Sequence, residues 1–138
     1  MEKKAIEILL IEDDEVDIMN VQRAFKKNNI NNILNIARNG LEALEFLRNK
    51  DTKRPEIVLL DINMPKMGGV EFLREIREDA DLKSLTVFVM TTSNEESDVV
   101  SAYNLNSAGY ILKPVLFENF VKAISTLNHY WELSERPK

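Results

Sequence analysis

The sequence contains no cysteine and a single histidine, His129. Disulfides, thiol chemistry and cysteine-ligated zinc are therefore excluded, and one imidazole cannot build a histidine metal cluster. Hard cations held by oxygen ligands remain open. No apolar run approaches the roughly 18 to 20 residues that span a bilayer, so no membrane segment is expected. Long basic blocks are also missing, and the net charge is −5. Nucleic acid is thus a poor partner, because phosphate contacts need clustered Lys and Arg and the Lys26-Lys27 pair supplies little. The start, Met1-Glu2-Lys3-Lys4-Ala5, leads into an apolar stretch with acidic residues right behind it. It lacks the h-region and cleavage site of a signal peptide, so a cytoplasmic protein is expected. At 138 residues, 44% hydrophobic and 30% charged, the chain fits one globular domain.

Strand and helix patterns alternate along that domain. Ile6, Ile8, Leu9, Leu10 and Ile11 form a nearly continuous apolar run that stops at Glu12-Asp13-Asp14, as a strand buried on both faces would. Ile18, Val21, Ala24 and Phe25 then recur at helical spacing up to Asn28-Asn29. A weaker strand around Ile33 to Ala37 precedes a helix carrying Leu41, Leu44 and Leu47, with Asn39 and Glu42 placed like a capping box. A polar loop over 49–55 leads to Ile57-Val58-Leu59-Leu60, with Asp61 at the strand's carboxyl end. The turn from Asn63 to Gly69 opens a helix marked by Val70, Leu73 and Ile76. Thr86 to Met90 reads as a fourth strand ending in Thr91-Thr92-Ser93, and Ser93 with Glu96 suggests another capped helix. A short fifth strand, Tyr110-Ile111-Leu112, stops at Lys113-Pro114. The last helix shows Phe117, Phe120, Val121, Ile124, Leu127 and Trp131. Five strand-helix units in alternation imply a doubly wound α/β fold: a five-stranded parallel sheet with helices on both faces. The expected domain is 1–138, with its core over about 5–127 and the last helix extended to about 133.

In open α/β sheets, ligands bind beyond the carboxyl ends of the strands. Those ends carry Glu12-Asp13, Asp61, Thr91 and Lys113. Carboxylates brought close together repel unless a cation or protons neutralise them. Mg²⁺ suits the inventory, since it takes one or two carboxylates, several waters and phosphate oxygens. Asp61 could then attack phosphorus in line, while Lys113 pairs with one oxygen of the transferred group and Thr91 donates a hydrogen bond to another.

This pattern resembles the receiver domain of bacterial two-component response regulators over nearly the whole chain. In that family an acidic pair follows the first strand, the phosphoacceptor aspartate the third, Thr or Ser the fourth, and Lys-Pro the fifth. Glu12-Asp13, Asp61, Thr91 and Lys113-Pro114 match in turn. The resemblance implies a flavodoxin-like strand order of 2-1-3-4-5. It also implies that Asp13 contacts Mg²⁺ directly, Glu12 through water and Asn63 through its backbone carbonyl, with Asp61 as phosphoacceptor. Tyr110 matches the aromatic that changes rotamer with Thr91 on activation. The segment 85–93, Tyr110 to Pro114 and the terminal Tyr130-Trp131 are similar to stand-alone regulators that partner cyanobacterial phytochromes. A sensor histidine kinase, phytochrome-like by that narrower resemblance, is the implied phosphodonor. An unknown downstream protein is the implied target, and a homodimer through the last helices is a further expectation. Two positions depart from the family. Gly68 stands where Asp usually precedes the glycine of the turn, giving up a side-chain cap for backbone freedom. Thr92 stands where many receivers have Ala, beside the phosphoryl site.

Each of these residues also has a purely structural role open to it. Alone, Asp61 could be a turn residue, Glu12 and Asp13 a solvated helix start of the kind Asp14 and Glu15 form, Thr91 a strand-end hydroxyl and Lys113 a surface lysine. Convergence on one rim favours the functional readings together. Tyr110 on a short strand could equally be packing. His129 reads as a helix-surface residue, not a phosphodonor. The competing function is a small haloacid-dehalogenase-like phosphatase, which also uses an aspartyl nucleophile and Mg²⁺. It needs a general acid two residues after the nucleophile, where this chain has Asn63, and its acidic pair comes late in the sequence, not first. The expectation is therefore a phosphoacceptor signalling domain and not a turnover enzyme.

Overall fold

The computed structural model describes residues 6–27, 32–62, 67–91 and 109–112; for Ile6, Lys27, Asn32, Thr91 and 109–112 it describes the backbone alone. The apolar run after the N-terminus is β1 (Ile6–Ile11), and Ile8 through Ile11 are completely buried. Such a strand must be covered on both faces, and it is. Ile8 and Leu10 pack with Ile18, Val21, Ala24 and Phe25 of α1 (Glu15–Lys27) on one side. Leu9 and Ile11 pack on the other with Ala43 and Leu44 of α2 (Gly40–Arg48) and with Phe72, Leu73 and Ile76 of α3 (Gly69–Glu78). The period of two along the strand thus sorts its side chains between two cores.

Between these helices lie β2 (Asn32–Ala37), β3 (Ile57–Asp61), β4 (Val87–Thr91) and β5 (Gly109–Leu112). They form one five-stranded sheet in the order β2-β1-β3-β4-β5, parallel at every pairing. The doubly wound class and the strand order therefore stand as expected. All five residues of β3 are buried, in keeping with a central strand whose near-continuous apolar run shows no alternation.

Local chemistry explains where the elements start. Asp14 Oδ1 accepts the backbone N–H of Val16 at 2.8 Å and of Asp17 at 3.1 Å, capping α1. Asn39 Oδ1 accepts the Glu42 N–H at 2.9 Å, and Asn39 Nδ2 donates to Glu42 Oε2 at 3.1 Å. The Asn39–Glu42 pair is thus a variant of the expected box, in which the carboxylate takes the side-chain amide instead of the cap's backbone N–H. Leu41, read as part of the apolar face of this helix, is instead 53% exposed. Gly40, Ala43 and Leu44 carry the buried face.

The freedom inferred for Gly68 is not used. It caps α3 at φ −68° and ψ 163°, ordinary extended backbone, with open space where a Cβ would stand. The glycine that matters is its neighbour. A Cβ on Gly69 would lie 2.7 Å from the Asp61 carbonyl oxygen and closer still to Ile62 Cα, so only glycine lets α3 begin directly on the end of β3.

Two arginines hold the segment that leads into β4. Arg77 Nη1 donates to the Lys83 and Leu85 carbonyls at 2.7 and 2.8 Å, and Arg54 donates to the Asp81 carbonyl at 2.7 Å and to Ser84 Oγ at 2.6 Å. Burial lowers the Arg77 guanidinium below its ordinary value. Arg48 reaches from α2 to Glu75 and Asp79, each at 3.5 Å. Among the described residues no helix is long and apolar enough to cross a membrane. The expected helix end at Asn28-Asn29, the helix after Thr91, the last helix, its extension to about 133, and His129, Tyr130 and Trp131 lie outside the described residues.

Candidate metal centre

A parallel sheet delivers every strand's carboxyl end to the same rim, and the register sets which residues meet there. Ile11 pairs with Leu60, so Glu12 and Asp61, each the next residue along, stand abreast on the two central strands. Alternation turns both toward the α1 side, following Leu10 and Leu59. The Glu12 N–H donates to the Ala37 carbonyl at 2.9 Å, and the Ile62 N–H donates to the Met90 carbonyl at 3.0 Å, so the ladders continue one residue past the strands.

Glu12, Asp13 and Asp61 each present a carboxylate oxygen, and these oxygens all lie within 4.8 Å of one another. Glu12 is fully buried and Asp61 is 3% exposed, while Asp13 faces solvent. Glu12 Oε1 also accepts the Asp14 N–H at 3.2 Å. Two like charges about 5 Å apart repel by roughly 3 kcal/mol at an effective dielectric of about 20. Holding three carboxylates together against that repulsion makes chemical sense if a cation is bound between them. The donor set is all oxygen, drawn from the last residue of β3 and the two residues that follow β1. That set fits a hard divalent ion that keeps part of its water shell, and the exposed side at Asp13 leaves room for the water.

The other expected site residues fall differently. Thr91 closes β4 and pairs with Leu112, and Tyr110 lies within β5 opposite Val89; both are described through their backbone only. Lys113 follows Leu112 directly but, like Asn63, Thr92 and Pro114, lies outside the described residues. Three features at the rim escaped the sequence reading. Arg38, the first residue after β2, forms an ion pair with Glu15 at the start of α1. Gly69 lies against the Asp61 backbone, and Gly40 lies against Met67. An arginine just past a strand that ends on this rim was a usable signal for the first. The glycine contacts carry no sequence signal beyond the residue type.

A family description of the response regulator receiver domain matches residues 8–125, and the chain belongs to that family. Its members accept phosphoryl groups from sensor histidine kinases. Among individual proteins, the chain is similar to the response regulator Rcp1 of Synechocystis sp., with 38% identity over 128 residues, covering 90% of this chain and 87% of that protein. It superimposes on the Mn²⁺-bound form of Rcp1 with a TM-score of 0.80 at 36% identity, covering 96% of this chain and 99% of the other. For the phosphorylated cyanobacterial phytochrome response regulator RcpA the TM-score is 0.82 at 31% identity, covering 98% and 100%. The similarity to phytochrome response regulators read from the sequence is therefore real. The phosphatase alternative finds no support in these relatives.

Proposed function

We propose that this chain is a phosphorylation-driven interaction switch whose phosphoacceptor is Asp61. The observation that carries this reading is the meeting of the Glu12, Asp13 and Asp61 carboxylates within 4.8 Å at the ends of β1 and β3. Asp13 and Asp61, with the backbone carbonyl of Asn63, would hold Mg²⁺ directly, and Glu12 through water. Bound there, Mg²⁺ would neutralise the gathered charge and that of the incoming phosphoryl group. The Mn²⁺-bound form of Rcp1 supports a divalent site in this chain, and phosphorylated RcpA supports the acceptor role.

In the transfer, one Asp61 carboxylate oxygen attacks phosphorus while the bond from phosphorus to the donor histidine's nitrogen breaks. The imidazole leaves with a proton, and an acyl phosphate remains on Asp61. Thr91 would donate its hydroxyl to one phosphoryl oxygen and Lys113 its ammonium to another. Thr91 and Tyr110 would form the switch that carries the change to the surface on which a downstream protein docks. Water then attacks phosphorus, the bond from phosphorus to the Asp61 oxygen breaks, and inorganic phosphate leaves the free carboxylate behind. The chain has no external substrate in this scheme, so it is a signalling domain and not a turnover enzyme.

Finer readings follow the narrower similarity. The domain is taken as 1–138 with its core over about 5–127, supported by the family match to 8–125. The kinase is phytochrome-like and the setting cytoplasmic. A homodimer through the last helix, with Tyr130 and Trp131 as candidate contacts, is readable from elution volume with and without phosphodonor. The main test is labelling by a small phosphodonor. We expect stoichiometric, Mg²⁺-dependent incorporation that disappears in Asp61→Asn; labelling that survives this change, or sustained hydrolysis of a generic phosphomonoester, would overturn the reading.

A further inference from the structure

The carboxylate cluster spans two strands, and a closed path of contacts joins those strands outside the sheet. It starts at Glu12, whose N–H donates to the Ala37 carbonyl at 2.9 Å. Three residues on, the chain is Gly40, the buried first residue of α2, held in place by the Asn39 cap on Glu42. Gly40 abuts Met67: a Cβ built on it would lie 2.7 Å from Met67 Cγ and 2.9 Å from both Met67 Cβ and Sδ. Two residues further, the Gly69 N–H donates to the Ile62 carbonyl at 3.1 Å, and Gly69 lies directly on the Asp61 backbone. The path thus runs from one buried carboxylate of the cluster to the other through the start of α2 and the turn before α3.

Resting on the metal reading above, we infer that the Gly40–Met67 contact is a positioning brace for the carboxylate cluster, setting the spacing between the Glu12 and Asp61 ends of the site. Two features argue for this over ordinary packing. All three nearest atoms to a Cβ at position 40 belong to Met67, and one of them is its Cβ. A methyl group at position 40 therefore cannot be accommodated by swinging the thioether alone; the backbone at Met67 has to move. That backbone is tied by Gly69 to Ile62, the residue after Asp61. The displacement therefore has little room to dissipate before it reaches the acceptor aspartate. Nothing comparable holds for Leu41, the next residue of α2, which is exposed.

The experiment is calorimetric titration of the metal-free full chain with Mg²⁺, paired with urea unfolding to confirm that each variant is folded. Gly40→Ala is expected to weaken Mg²⁺ binding by about tenfold, the scale on which groups supporting metal ligands act. Leu41→Ala is expected to leave the affinity unchanged. Met67→Ala removes Cγ and Sδ, two of the three close atoms, and keeps the Cβ at 2.9 Å, so Gly40→Ala combined with Met67→Ala recovers part of the lost affinity, which general destabilisation would not do. A folded Gly40→Ala protein with wild-type affinity, or a loss that Met67→Ala fails to relieve, overturns the brace. Where Gly40→Ala does not fold, Met67→Ala alone decides the matter: a smaller loss in the same direction supports the brace, and unchanged affinity overturns it. Absence of Mg²⁺ binding in the wild-type chain would instead remove the metal reading, and the brace with it.

Discussion

Strand β1 has a buried carboxylate near each end, and the two are treated differently. Glu7, at the amino end, is 6% exposed and has Lys53 Nζ 3.8 Å from its Oε1. Glu12, just past the carboxyl end, is fully buried and has the carboxylates of Asp13 and Asp61 for neighbours. At the first end a side chain supplies the opposite charge. At the second, three carboxylates lie within 4.8 Å of one another, an arrangement that a bound cation would stabilise. Burial alone thus does not single out a candidate site carboxylate; the charges gathered around it have to be read as well.

The contrast can be broken in steps. The largest effect is expected at the carboxyl end. Mg²⁺ at about 100 times its dissociation constant should raise the unfolding free energy by about 2.7 kcal/mol. In Asp13→Asn most of that gain should vanish, as read from urea midpoints with and without the ion; an equal gain in both proteins would mean that the ion binds elsewhere. A smaller effect belongs to the amino end. Lys53→Met should cost less than about 1 kcal/mol, because the lysine is largely exposed and screened by solvent. It should leave Mg²⁺ affinity untouched, and a shift in that affinity would show that the two ends are not independent. Smallest of all, Gly68→Asp should stabilise by a few tenths of a kcal/mol by restoring a helix cap. Its backbone is already in the extended region and the site is open. A lowered melting temperature would show that glycine is needed there after all.

Much of this was legible in the sequence because periodicity records burial. The unbroken Ile57–Leu60 run announced a strand covered on both faces, and Ile18, Val21, Ala24 and Phe25 announced the buried face of α1. Strict alternation then implied a parallel sheet. From that the shared rim follows, and with it the grouping of Glu12, Asp13 and Asp61. Less legible were features set by close approach. Gly68 and Gly69 look alike as letters, yet one stands in open space and the other against a backbone. Leu41 fits a helical repeat but lies outside the stripe that α2 turns toward the sheet. Phe72, fully buried in α3, escaped notice beside Val70, Leu73 and Ile76, although it completes the same face. Glu7 and Lys53 meet across 46 residues of chain, and pattern reading has no means of pairing surface and buried charges at such separation.

The two strands that carry the acids or lead to them are also the most deeply enclosed of the strands whose side chains are described. Ile8 to Ile11 and Ile57 to Leu60 have no solvent exposure, and amides in such segments exchange with solvent only when the whole domain opens. The acids are therefore mounted at the ends of two slowly opening strands, and what the starts of α2 and α3 can adjust is the fine spacing of the carboxylates, not whether they meet. A partner that pulls on those helix starts would change the spacing of Glu12 and Asp61 by small amounts long before it could separate them.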